Sequence, residues 1–220
     1  IEISQIIRSK RKSIALIIQH DGTLIVRAPL KIPEKSIRGF VEKNSRWIQK
    51  KQAQVRTAVP ILPKQYIPGE VFYFLGRQVP LEIVKGQRSA LVLDTHFKLA
   101  EGAQGKAEQV FQQWYREQAR QILSERVRLF AGQHNLHYQK IRISSARTRW
   151  GSCSLIGALS FSWRLILMPM EIVDYVVVHE LVHTLVHNHS KRFWDQVEQI
   201  LPDYRERRKW LRRNGQKVML

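Results

Sequence analysis

His179, Glu180 and His183 stand in the spacing His-Glu-x-x-His, and a further histidine, His189, follows six residues on. On an α-helix, residues four apart share a face, so the imidazoles of His179 and His183 can converge on one ion. Glu180 sits about 100° round the same turn. Its carboxylate is then placed to reach water beside a metal without becoming a ligand, the arrangement that metal-assisted hydrolysis requires. A catalytic zinc takes three protein ligands and keeps one open position, and His189 completes such a set if the chain turns back. The expected cofactor is zinc, and the expected chemistry is hydrolysis, first of all of peptide bonds.

An isolated His-Glu-x-x-His occurs by chance in roughly one chain in a hundred of this length, so the pattern needs support from its surroundings. The bland alternative is a buried helix whose histidines are satisfied by hydrogen bonds. Ile172, Val173, Val176, Val177, Val178, Leu181, Val182, Leu185 and Val186 make the flanking helix apolar almost all round, which predicts a buried metal helix. Two histidines and a carboxylate in such surroundings are costly unless paired or bound to metal. The third ligand is open between His189 and His187, with Asp195, Glu198 and Glu206 as carboxylate alternatives. Asn188 tolerates a left-handed backbone and Ser190 can cap a new helix, and a break at Asn188 turns His189 inward. The spacing equals that of metzincins, but Val186 replaces their glycine, so no metzincin assignment follows.

Several further stretches accompany the motif: Arg149-Trp150-Gly151-Ser152-Cys153-Ser154, Gly157, Leu159 and Phe161 through Leu165, and Asp174-Tyr175-Val176-Val177-Val178 leading into His179. Asn188-His189-Ser190, Phe193-Trp194, Pro202-Asp203-Tyr204 and Trp210-Leu211 follow. In this order, over roughly residues 140 to 212, the chain resembles the YgjP-like zinc metallopeptidases, more distantly related to SprT-like and WLM metalloproteases. The resemblance implies zinc on His179, His183 and His189 with Glu180 as general base. It implies no defined substrate.

The elements around the motif are readable in outline. Residues 13–28 alternate as two strands about Asp21-Gly22, a favoured hairpin turn. From Pro33 and Glu34, the spacing of Ile37, Phe40, Val41, Trp47 and Ile48 predicts one helix, broken by the stretch 59–63. Short strands are expected at 71–75, 79–84 and 91–93. Between about 106 and 130, Phe111, Trp114, Tyr115, Ala119, Ile122, Leu123, Val127 and Phe130 form a helical stripe, read as core backing the metal helix. Residues 141–145 and 158–167 read as strands joined by 149–157. The expectation is an α+β fold: a β-rich N-terminal region with one helix over 1–103, then a zincin-like metallopeptidase domain over 104–220.

A strand beside a metal helix can accept a substrate backbone. Either 150–154 or the strand around 161–164 is expected to offer that edge, with Trp150 and Ser152 as substrate-binding candidates, unless the hairpin only supports the site. Arg164 and Tyr204 are candidates to polarise the carbonyl or hold an oxyanion, packing roles being equally open. Cys153 reads as a small buried residue rather than a nucleophile, since the histidines are better used on metal.

A chain of 220 residues with 44% hydrophobic content buries a real core. Its apolar runs are too short for a membrane span, and no signal-peptide pattern follows Ile1, although a trimmed leader stays open. One cysteine excludes an internal disulfide framework and fits a cytoplasmic location. The 37 basic against 18 acidic side chains, a net of +19, favour an anionic partner. Arg8, Lys10, Arg11 and Lys12 cluster near the start, and Arg205, Arg207, Arg208, Lys209, Arg212, Arg213 and Lys217 near the end. The expected partners are a protein or peptide substrate and, through the basic surface, nucleic acid or a nucleotide, in salt-sensitive contacts. Two alternatives to a peptidase stand beside it: a nucleotide phosphohydrolase of the nucleoside triphosphate pyrophosphatase type, and a non-catalytic nucleic-acid-associated protein with structural zinc. Structural sites are usually cysteine-rich and four-coordinate, which a single cysteine disfavours.

Overall fold

The computed structural model describes residues 1–19, 21–57 and 63–215. The helix-breaking residues 59–62 and Lys217 lie outside them. The chain is a mixed α+β protein of two compact units, Ile1–Leu62 and Pro63–Leu220.

In the first unit, β1 (Gln5–Ser9), β2 (Ala15–Ile18) and β3 (Leu24–Pro29) form a sheet in the order β1-β3-β2. The expected hairpin is β2 with β3, antiparallel, closed by Gly22 at φ 85° and by Asp21 Oδ1, which accepts from the Thr23 backbone N–H. Leu24, Val26 and Ala28 alternate onto the inner face of β3 and meet Ile37, Val41 and Ile48. The single helix expected after Pro33 is two: α1 (Glu34–Lys43) and α2 (Ser45–Thr57). Asn44 separates them, its side-chain amide donating to the Phe40 carbonyl and ending the first helix. Ile37, Val41 and Ile48 of the expected stripe are buried, whereas Phe40 and Trp47 are exposed.

The second unit begins with β4 (Val71–Phe74), β5 (Arg77–Val84), β6 (Leu91–Leu93) and β7 (Phe97–Ala100), in the order β4-β5-β7-β6. A 27-residue helix, α3 (Ala107–Gln133), follows a 3-10 turn at Glu101–Lys106. Phe72 and Phe97 of the sheet stack on Phe111 of α3, with ring centroids 4.3 and 5.1 Å away. The sequence placed its division at 103/104. The contacts divide the chain after residue 62, and the buried Phe72, Leu81, Phe97 and Leu99 of this sheet share one core with α3.

A second sheet contains β8 (Lys140–Ser144), β9 (Gly151–Cys153) and β10 (Ala158–Ser162), in the order β8-β10-β9. The strand expected over 158–167 stops at Ser162, and Trp163–Leu167 forms a 3-10 turn. All five residues of that turn are buried, Arg164 among them. Helices α4 (Met170–Val182), α5 (Lys191–Ile200) and α6 (Tyr204–Asn214) complete the unit.

Three contacts seat α4. The predicted stripe of α3 buries Phe111, Tyr115, Ala119, Leu123 and Val127 against the 3-10 turn and α4, and Tyr115 stacks on Trp163 at 5.6 Å. Arg126 of α3 grips both carboxylate oxygens of Asp174, at 2.6 and 2.8 Å. The β4–β5 turn donates from Leu75 and Gly76 to the carbonyls of Ile166 and Leu167. Gly76 has φ +78°, and a Cβ on it would lie 2.7 Å from Cγ of Pro169, the N-cap of α4, so only glycine fits there. No helix of the described residues is long and apolar enough to cross a membrane.

Candidate metal centre

Ten of the thirteen residues of α4 are buried, including Glu180, as the all-round apolar sequence requires. The helix ends at Val182 with His183 as C-cap, six residues before the break expected at Asn188. Thr184 and Leu185 fold back onto the carbonyls of Leu181 and Val182, and the Thr184 hydroxyl also donates to Leu181. These hydrogen bonds turn the chain early, and Asn188 keeps a negative φ. The Asn188 side chain instead accepts from the Ser190 N–H, ordering the start of α5, where Ser190 is the N-cap residue but makes no side-chain cap bond.

This turn brings His189 back over α4. One ligand atom from each of His179, His183 and His189 lies within 4.8 Å of the others, and among the described residues this is the group of such side chains able to hold a metal. His187 is not part of it. Asp195 and Glu198 pair with Lys191 and Arg205 at 3.1 and 3.2 Å, and Glu206 is also outside the group.

His183 is set up as a neutral electron-pair donor. His183 Nδ1 lies 3.0 Å from the Val186 carbonyl, which can only accept, so the proton sits on Nδ1 and Nε2 keeps its lone pair. His179 Nε2 and His189 Nε2 stand 3.0 Å apart. That separation is close to the roughly 3.3 Å between ligands on one tetrahedral zinc at bond lengths of about 2.0–2.1 Å, and without a metal a proton on either nitrogen joins the pair by a hydrogen bond. Burial, and after it the neighbouring His183, His189 and Arg208, lower the pKa of His179 to about 3. Burial likewise lowers that of His183. Phe193, fully buried, packs its ring 4.5–4.9 Å from all three imidazole centroids. Trp194 stacks on His189 at 5.6 Å.

Glu180 is buried beside this group. Its Oε2 and the Nδ1 of His179 are buried polar atoms without a hydrogen-bond partner. Such atoms are costly to leave unpaired, and water held at a metal beside Glu180 would give its Oε2 the partner it lacks. Burial raises the Glu180 pKa from 4.5 to about 7, with Arg149 opposing the rise. Gly151, the first residue of β9, lies over the carboxylate: a Cβ there would stand 2.6 Å from Cγ and Oε1 of Glu180. Gly151, Phe193 and Trp194 were not singled out as site residues from the sequence. Their signal was only their place in the ordered motifs, because a glycine acting by what it leaves empty has no chemical signature.

The remaining candidates are distributed around the site. Trp150 precedes β9 and its carbonyl accepts from the Ser162 N–H, while Ser152 lies on β9 opposite Ser160. Tyr204 is buried, stacked on Trp194 at 5.4 Å, and its hydroxyl accepts from Arg205. Arg164 is buried just past the C-terminal end of β10, donating to the Ser145 carbonyl, and among the described residues no hydrogen bond or ring contact joins it to the histidines. Cys153, expected to be buried, is half-buried, and burial, with Glu180 after it, raises its pKa, which disfavours the nucleophilic thiolate. Helix α6 presents Lys209, Arg212 and Arg213 around one hollow.

A buried carboxylate beside three converging imidazoles is a donor set suited to a metal-dependent hydrolase, and comparison with known proteins agrees at the level of class. The family model described as YgjP-like, metallopeptidase domain, matches residues 12–214, and the chain belongs to that family. The structure is similar in part to the metallopeptidase zymogen of Pyrococcus abyssi abylysin: 19% identity over 44% of this chain and 99% of that one, with a TM-score of 0.40. It is also similar to the zymogen of Methanocaldococcus jannaschii jannalysin: 18% identity over 44% of this chain and 97% of that one, with a TM-score of 0.38. Comparison with curated proteins found no match.

The raised pKa of Glu180 has a measurable consequence in the metal-free protein. The fold favours the neutral carboxyl, so this contribution to stability is full below about pH 4.5 and is lost as pH rises through about 7. Glu180→Gln lacks the titration. The unfolding free energy of the wild type relative to Glu180→Gln is expected to fall by about 3 kcal/mol between about pH 4 and about pH 8. Denaturant melts across that range check this, and parallel pH profiles for the two proteins would contradict it.

Proposed function

We propose that the chain is a zinc-dependent peptidase in which His179, His183 and His189 hold the ion and Glu180 is the general base. The observation that carries this reading is the buried, unpaired Glu180 Oε2 beside three imidazoles whose ligand atoms converge to within 4.8 Å of one another. Three histidines leave a tetrahedral ion one open position, and bound zinc supplies Lewis acidity toward a substrate carbonyl and nearby water. Glu180 moves the proton. One carboxylate oxygen takes it from the attacking water and returns it to the leaving amine nitrogen as the C–N bond breaks. A pKa near 7 suits a group that must both accept and release a proton near neutral pH.

Gly151 holds this carboxylate by leaving space for it, and Arg149 moderates its basicity. Substrate backbone adds to β9. Strand β10 is paired on both sides, whereas β9 pairs on one side alone, which favours the 150–154 edge and its Trp150 and Ser152 over the strand around 161–164. Tyr204 lies on the α5–α6 side, stacked on Trp194, which in turn stacks on His189; there it supports the aromatic wall of the site. In this reading the part of the chain that carries α4 is zincin-like and acts on protein or peptide substrates, in the cytoplasm that a single free thiol fits.

Zinc content and turnover of unfolded protein, measured together, test the assignment. Glu180→Gln keeps near-stoichiometric zinc and loses about 10³-fold in rate, and His183→Ala loses both metal and activity. Zinc-loaded Glu180→Gln with full activity would remove the proposed base. Gly151→Ala, which displaces the carboxylate without touching a ligand, retains zinc and loses about 10²-fold; unchanged turnover in that variant would contradict the close packing. The same samples offered nucleoside triphosphates test the phosphohydrolase alternative through Glu180-dependent release of phosphate or pyrophosphate.

A further inference from the structure

The chain places a buried, unpaired guanidinium where the second sheet ends, and the peptidase mechanism does not use it. Strands β8 and β10 run parallel and finish together at the paired Ser144 and Ser162, while antiparallel β9 begins at that end with Gly151 opposite Phe161. The loop 145–150 and the turn Trp163–Leu167 therefore lie at the same end of the sheet. Four arginines gather there: Arg147 and Arg149 on the loop, Arg164 on the turn, and Arg116 from α3. Arg116 Nη1 donates to the Ser145 hydroxyl at 2.6 Å, and Arg164 Nη1 to the Ser145 carbonyl at 3.1 Å. Among the described residues, no carboxylate forms an ion pair with any of the four.

Arg164 is 4% exposed, and its Nε is buried without a hydrogen-bond partner. Its guanidinium lies 4.3 Å from the centroid of the Trp163 ring, a cation–π contact that offsets part of the burial. Burial first, and the like charge of Arg147 second, work against the charged form. A buried cation with a second cation beside it is unfavourable until an anion joins them. The free Nε, with a terminal nitrogen, offers the planar fork that matches a carboxylate.

We propose that this sheet end binds a carboxylate of an acidic peptide substrate, an inference that rests on the peptidase reading and names its substrate class. The cluster adjoins the proposed base: Arg149 acts on Glu180 electrostatically, and Gly151 at the foot of the same loop packs on its carboxylate. A peptide laid along β9 carries an acidic side chain onto the arginines a few residues from the bond to be cut. The net charge of +19 steers such a chain inward.

The test uses the full chain carrying Glu180→Gln, which binds without turnover, both zinc-loaded and metal-free. Fluorescence anisotropy compares two labelled peptides of equal length that differ only in having glutamate or glutamine at several positions. The glutamate peptide is expected to bind about 10-fold tighter. Adding Arg147→Ala, on an exposed loop residue that folding tolerates, reduces the preference to within about twofold, whereas Arg213→Ala removes the same charge from α6 and leaves it intact. Equal affinities for the two peptides would overturn the proposal. So would a preference lost equally in both arginine variants, which would assign it to net charge, or binding of a phosphoserine peptide in place of the glutamate one. Cleavage by the wild type reports on the peptidase reading separately, so the two can fail independently.

Discussion

Everything in the second unit is arranged around the cost of burying ionisable groups at the C-terminal end of an apolar helix. Helix α4 buries almost every side chain, and in its last turn it must also accommodate His179 and Glu180. The apolar surroundings make the imidazole neutral and the carboxylate reluctant to ionise, driving their pKa values toward about 3 and about 7. Those are the states required of a metal ligand and of a proton acceptor that must also give its proton back. The same burial that makes the helix stable thus prepares the proposed chemistry.

The rest of the unit holds that helix end still. The bidentate Arg126–Asp174 pair locks α4 to α3, and the β4–β5 turn closes on Pro169 at its N-cap, where Gly76 leaves no room for a side chain. At the other end, the early turn after Val182 lets His189 return and seats Phe193 among the three rings. A one-residue change of path there would leave two imidazoles without their third. Gly151 plays the complementary part from β9, setting the position of Glu180 by the volume it leaves empty.

Much of this was legible in the chain itself. The imidazole spacing, the apolar helix around it and the stripe of α3 follow directly from helical periodicity, and the β2–β3 hairpin from Asp21-Gly22. What was not legible depends on contacts between distant residues. Nothing local in 158–167 says that alternation stops at Ser162, since Trp163 turns inward to stack on Tyr115, far away in sequence. The Asn44 break in the first unit is accompanied by a side-chain hydrogen bond to the Phe40 carbonyl. The division of the chain after residue 62 reflects a core that the β4–β7 sheet shares with α3, a contact between distant residues. Arg164 was weighed as a group beside the reacting carbonyl, and its hydrogen bond to Ser145 at the end of β8 could be seen only once the sheet order was known.

The proposal that three histidines hold a zinc with an open position is tested most directly by zinc K-edge X-ray absorption on the purified full chain. The account predicts about one zinc per chain, bound by three imidazole nitrogens at about 2.0–2.1 Å and by one exchangeable oxygen, with the signal lost in His183→Ala. A protein that retains no zinc after loading, or a zinc environment unchanged in His183→Ala, would contradict it.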